Sequence, residues 1–195
     1  MRERLGILLL LILSNSIYAQ QNNRDLLHYY SWEEAQLISK DSVEAISFEK
    51  MKLNTLPDLL WEFSNLKGLK LNKNKLDSLP HKIEQLQLLK YIYLSKNEFT
   101  EFPKQLYSLQ NLELIDMSRN DLSRIPIGIG ELKNLVYLDI WDTNLPGLPS
   151  DFSKLSQLRY LDLRGMTYSP SFIKQLEENF PNTTIEFDPP CNCME

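Results

Sequence analysis

Apolar residues return along this chain with a strict period of 23. Residues 66–88 read LKGLKLNKNKLDSLPHKIEQLQL, and windows 89–111, 112–134 and 135–157 lay apolar positions on apolar positions. One series is Leu66, Leu89, Leu112 and Leu135; the next are Leu69, Ile92, Ile115 and Leu138, then Leu71, Leu94, Met117 and Ile140. Leu76, Phe99, Leu122 and Leu145 follow, then Leu79, Phe102, Ile125 and Leu148, with a proline after each of these last four at Pro80, Pro103, Pro126 and Pro149. A unit this short cannot enclose its own apolar face, so the copies must stack and bury a core between them.

The alternation Leu69-x-Leu71 predicts a short strand with its apolar side inward and the intervening residues outward. Repetition pairs each strand with its copy and builds a parallel sheet along a concave wall. Asn74, Asn97 and Asn120 recur where the strand must turn away, and an amide there can satisfy main-chain groups that the turn leaves unpaired. Met51, Thr143 and Met166 stand at the same position, which predicts a looser ladder at both ends. Run backward, the register finds a degenerate copy at 43–65 through Val43, Ile46, Phe48, Leu53, Leu56, Pro57, Leu60 and Phe63. Run forward, it finds Leu158, Leu161 and Leu163 and then frays. Ser31 with Glu34 three residues on has the form of a reciprocal helix cap, predicting a helix over about 32–40 that covers the first repeat. A second helix is predicted over 170–179 and a last strand over 184–187.

LKGLKLNKNKL, LKYIYLSKNEF and LELIDMSRNDL each resemble the L-x-x-L-x-L-x-x-N-x-L signature of the leucine-rich repeat family, and the LP-x-x-I-x-x-L that follows is similar to the variable half of its 23-residue class. The resemblance covers about 43–187. It implies an α/β solenoid, or horseshoe, with a parallel β-sheet on the concave face, a short helical N-terminal cap and a helix–strand C-terminal cap. It also implies a class common among bacterial extracellular proteins and signalling scaffolds, defined by packing and silent on the ligand.

The chain ends alter the picture. Arg2 and Arg4 precede the apolar run 5–13, and Ala19 offers a small residue at a cut site, the layout of a secretory signal peptide over 1–19. Nine apolar residues are too few to span a bilayer. Removing Arg2, Glu3 and Arg4 takes away a net +1, shifting the formal charge from −5 to −6, which argues against a nucleic-acid partner. The expected organisation is therefore a signal peptide over 1–19, an N-terminal segment and capping helix over 20–42, repeats over 43–187 (five full, a modified sixth and a terminal strand), and a tail over 188–195. Cys191 and Cys193 lie in that tail; in an oxidising compartment they could close a small loop or bridge to another chain. Asn182-Thr183-Thr184 matches a glycosylation acceptor.

No enzymatic constellation emerges. His28 and His81 are the only histidines, and the chain has no phosphate-cradling glycine loop and no His/Cys metal quartet, so neither catalysis nor a cofactor or metal is expected. Outward strand positions, taken as columns, carry the functional signal. The third position reads Ala45, Gly68, Tyr91, Leu114, Tyr137 and Tyr160; the fifth reads Ser47, Lys70, Tyr93, Asp116, Asp139, Asp162 and then Glu186. The seventh includes Trp141 and Arg164, and the eighth is Lys50, Lys73, Lys96, Arg119 and Asp142. Tyr91, Tyr93, Leu114, Tyr137, Trp141 and Tyr160 are expected to form one exposed apolar-aromatic surface, rimmed by Asp116, Asp139, Asp162 and Arg164, the composition of a protein-binding hot spot. The eighth column is expected to be a solvated edge. Trp141 breaks a column of small and polar residues without a packing need and, with Tyr137, is an expected central anchor. The function expected is thus an exported module binding a protein or peptide on the concave sheet. The alternative is an envelope-assembly component whose chains are joined through Cys191 or Cys193.

Overall fold

The computed structural model describes residues 27–188. The expected signal peptide and the tail with Cys191 and Cys193 lie outside the described residues. Eight parallel strands form one sheet in chain order: β1 (Tyr30–Ser31), β2 (Ala45–Ser47), β3 (Gly68–Lys70), β4 (Tyr91–Tyr93), β5 (Leu114–Asp116), β6 (Tyr137–Asp139), β7 (Tyr160–Asp162) and β8 (Thr184–Glu186). The pairing register is the sequence period itself: Gly68, Tyr91, Leu114, Tyr137 and Tyr160 are successive partners. Inward residues at each strand centre and one place past its end, such as Leu69, Leu71, Ile92 and Leu94, are fully buried in one continuous core.

Opposite the sheet the chain returns through 3-10 turns at Asp58–Glu62, His81–Gln85, Lys104–Ser108, Ile129–Glu131 and Ser150–Lys154. Pro57, Pro80, Pro103 and Pro149 stand immediately before four of them. Proline's fixed φ suits the entry to a turn, and it brings no N–H that the turn would leave unpaired. The fifth repeat differs. Its turn begins after Gly128, held at φ 123, and not after Pro126. The Asp151 carboxylate draws the segment over by accepting from Gly128 N–H at 2.8 Å and Gly130 N–H at 3.2 Å.

Asparagine joins the repeats where strands end. Asn97 Nδ2 donates to the carbonyls of Leu71 and Leu94, both at 2.9 Å, and its Oδ1 accepts from Leu76 N–H at 3.0 Å. Asn74 and Asn120 repeat the arrangement one copy to either side. Just before each Asn position the chain turns through the left-handed region, with Lys50, Lys73, Lys96, Arg119 and Asp142 at φ between 55 and 64 and Gly165 at φ 84. The eighth column is therefore also a row of strained turn residues. At the C-terminal end the expected loosening is partial. Thr143 Oγ1 has one proton to give and lies 3.0 Å from the Ile140 carbonyl and 3.2 Å from Met166 Sδ, and the Tyr168 hydroxyl lies 3.1 Å from both the Leu145 carbonyl and Met166 Sδ.

The caps correct the sequence reading in detail. Helix α1 is Trp32–Ala35, shorter than the predicted 32–40; its reciprocal cap between Ser31 and Glu34 is present. Once Trp32 has packed on Phe48 and Phe63, with ring centroids 4.9 and 5.9 Å away, and Ala35 is buried, the next residues Gln36 and Leu37 face solvent, so packing gives no reason to extend the helix. Strand β1 was not anticipated. Helix α2 spans Pro170–Asn179 as predicted, with Ser169 capping Phe172 N–H at 3.2 Å.

Asn97→Ala should cost about 3 kcal/mol, because it strands two carbonyls and one N–H. Thr143→Asn, which extends the amide ladder by one rung, should gain about 1 kcal/mol. Urea denaturation checks both, and an unchanged midpoint for Asn97→Ala would refute the ladder's importance.

Candidate functional site

Columns of outward residues run across the sheet, one rung roughly 4.8 Å from the next. At that spacing each large side chain covers its neighbour, and this changes the expected exposed surface. Tyr91 and Leu114 are only 5% and 2% exposed, so they belong to the packed floor of the wall and not to its solvent face. Tyr137 and Tyr160 are half-buried and stack face to face, centroids 4.5 Å apart and planes 8° from parallel. Tyr93 and Trp141 are half-buried as well.

The N-terminal end of the third column is filled from outside the repeats. Tyr30 pairs with Ile46, which places Tyr29 on the rung beside Ala45. Its ring reaches over the small side chain of Ala45 to Gly68, where a methyl group would lie 2.6 Å from the Tyr29 hydroxyl oxygen. Lys70 Nζ sits 4.0 Å from the centre of that ring and 5.7 Å from the Tyr93 ring, while Tyr29 meets Tyr93 edge to face at 6.4 Å. Two adjacent small residues in a column of large ones were the sequence signal for this contact; Tyr29 itself lies outside every repeat.

The fifth column brings Asp116, Asp139, Asp162 and Glu186 onto successive rungs. Like charges side by side in a sheet repel, and each Asp is relieved differently. Asp162 is 1% exposed and is clasped by Arg164, whose Nε lies 2.9 Å from Oδ1 and Nη2 2.5 Å from Oδ2. This pair makes Asp162 unavailable to a partner, contrary to its expected place on an exposed rim, and raises the Arg164 pKa. Asp116 Oδ1 accepts from Ser118 Oγ at 2.7 Å and from its N–H at 3.0 Å. Among the described residues, the one hydrogen bond to Asp139 is from Trp141 N–H, to Oδ1 at 3.0 Å. Burial pushes the Asp139 carboxyl up to about 6; the Trp141 N–H opposes this, the charges of Asp116 and Asp162 add to it, and Arg164 opposes it. Tyr160 is pushed up to about 12, first by burial and then by the charges of Asp162 and Glu186.

Trp141 is flanked by two guanidinium groups. The Arg119 guanidinium carbon lies 4.1 Å from the ring centre, and that of Arg164 lies 6.0 Å away. Arg119 is exposed, as expected of a solvated edge, and it also lays its guanidinium over Trp141 on the neighbouring rung. The result is a plate of indole and guanidinium beside a tyrosine stack, with a partly buried carboxylate between them. Among the described residues no group of three His, Cys, Asp or Glu side chains is placed to hold a metal ion, and no helix is long and apolar enough to cross a membrane.

An open parallel sheet repeated every 23 residues defines the class of this molecule: a solenoid with a side-chain-lined concave wall. A leucine rich repeat family model matches residues 64–122. Among solved structures, a Leptospira interrogans leucine-rich repeat protein is similar at 31% identity and TM-score 0.66, covering 73% of this chain and 36% of its own. The plant peptide hormone receptor RGFR1 in complex with RGF2 is similar at 27% identity and TM-score 0.51, covering 63% of this chain and 22% of its own. The chain thus matches about a third of the first protein's length and about a fifth of the second's. A comparison with curated proteins gives no match. The family-model match and the Leptospira structure together support a leucine-rich repeat protein.

Because the folded form holds the Asp139 proton up to about pH 6 against an ordinary value of 3.8, this residue's contribution to stability falls as pH rises from 4 to 6. Asp139→Asn, which retains an acceptor for Trp141 N–H, should therefore stabilise the protein at pH 7 by about 1–2 kcal/mol, allowing for partial exposure, and have little effect at pH 4. Denaturation midpoints of variant and parent at the two pH values measure this; equal differences at both would contradict the assignment.

Proposed function

We propose that this chain is an exported protein-interaction module that holds a protein or peptide partner against the C-terminal half of its concave wall, over β5, β6 and β7. The observation that carries the proposal is the half-buried aromatic group of Tyr137, Tyr160 and Trp141 on a rigid sheet. Large aromatic area held in place loses little entropy on binding, and such residues dominate interface energetics. Asp116, Asp139 and Arg119 rim the group and set the polarity a partner must match. The N-terminal half of the same wall is occupied by Tyr29 over Gly68, which confines the footprint to the later strands. The plant receptor, a peptide-hormone receptor in its complex with RGF2, supports the peptide class of partner, and the leader-like residues 1–19 support export.

Trp141→Ala is the test. Arg119 loses its plate, a change worth no more than about 1 kcal/mol of stability. Affinity for a partner captured by the parent protein should fall at least tenfold. Unchanged affinity would remove Trp141 and the surrounding wall as the binding site.

A further inference from the structure

The third column carries one ring that does not belong to the repeats. Its own residues on the first two rungs are small, Ala45 and Gly68, and large residues resume with Tyr91. Tyr29 fills this step from outside, and the fit is to the whole phenol. A methyl group on Gly68 would lie 2.6 Å from the hydroxyl oxygen, 2.9 Å from Cζ and 3.0 Å from Cε1. Lys70 Nζ stands 4.0 Å from the centre of the ring, and Tyr93 meets it edge to face. A floor of one methyl and one bare main chain, a cation over the ring face and an aromatic neighbour at its edge are the elements that recognise an electron-rich ring.

The N-terminal cap has other anchors. Tyr30 and Ser31 pair with β2, Trp32 packs on Phe48 and Phe63, and the Ser31–Glu34 cap closes helix α1, all on the C-terminal side of Tyr29. Tyr29 is the residue before β1, so rotation about the bonds leading into Tyr30 carries the ring off Gly68 while the sheet stays paired. Ring and slot therefore stand as ligand and site, joined by main chain. Resting on the concave-wall reading above, we propose that the slot over Ala45 and Gly68 is a subsite for an aromatic side chain, tyrosine by preference. Tyr29 is its tethered occupant, an autoinhibitory contact that closes the N-terminal half of the wall to other rings. A tethered ring competes at the high effective concentration of a short link, so free aromatic groups are kept out while Tyr29 is seated. Once open, the slot adjoins Lys70 and Tyr93 and extends the aromatic face of the wall toward its N-terminal end.

The probe is p-cresol, the tyrosine side chain on its own, and the reporter is the Gly68 amide of the 15N-labelled protein, next to the seated ring. In Tyr29→Ala, p-cresol should shift the Gly68 amide saturably, and the parent should respond roughly tenfold more weakly because its slot is filled. A mere apolar hole takes any ring of this size, whereas Lys70 favours an electron-rich one. 4-Nitrotoluene, similar in shape and electron-poor, should therefore bind Tyr29→Ala roughly fivefold more weakly than p-cresol. Adding Lys70→Met should remove that preference, and adding Gly68→Ala should abolish p-cresol binding. In the parent, nuclear Overhauser contacts between the Tyr29 ring and the Gly68 α-protons should be present; their absence overturns the inference without any variant. No shift in Tyr29→Ala, an equal shift in the parent, or equal binding of the two probes also overturns it. These measurements involve no partner, so the two readings fail separately. If p-cresol is silent while partner capture still depends on Trp141, the subsite alone is lost; if capture is indifferent to Trp141, the concave-wall reading is lost whatever p-cresol does.

Discussion

No repeat in this molecule has a core of its own. Leu69 and Leu71 are buried only because equivalent residues stand one rung away on either side, so every structural element depends on register being held across the stack. Apolar burial is non-directional and could tolerate slippage; hydrogen bonds cannot. The amides of Asn74, Asn97 and Asn120 each tie a carbonyl of their own repeat to groups of the preceding one, which locks the step between copies at a single value. A fixed step makes the concave wall a lattice on which side-chain chemistry is laid out in columns.

That lattice has consequences for electrostatics. Rungs a few ångströms apart bring carboxylates from residues far apart in the chain into one row, and partial burial makes their mutual repulsion matter. The protein answers locally: a guanidinium for Asp162, a hydroxyl for Asp116, a main-chain N–H for Asp139. The raised Asp139 pKa and the Arg-covered Trp141 belong to the same few rungs, so polarity, aromatic surface and unbalanced charge converge where the repeats depart from their average composition.

The close spacing also explains where expectation and structure part. Tyr91 looks as outward-facing in the sequence as Tyr137, yet one lies in the packed floor and the other is half-buried. Tyr91 stands between Gly68 and Leu114 and its hydroxyl donates to Glu113 Oε2 at 3.3 Å, whereas Tyr137 stands beside Leu114 and stacks on Tyr160. Arg119 shares its left-handed turn with the other residues of its column and differs in having a tryptophan, Trp141, on the next rung for its guanidinium to cover. Tyr29 could not be assigned a place by the repeat, since β1 joins the sheet from outside it.

The sequence by itself determined the period, and the period determined the parallel sheet, its pairing register, the ladder asparagines and the columns of the wall. These follow because a side-chain pattern of strict spacing has few ways to bury itself. Only the tertiary structure decided which column residues face solvent, which carboxylates are already paired and which rings are covered by cations. Those outcomes depend on contacts between residues roughly one repeat apart in sequence and a few ångströms apart in space, and on the reach of individual side chains, which no periodicity encodes.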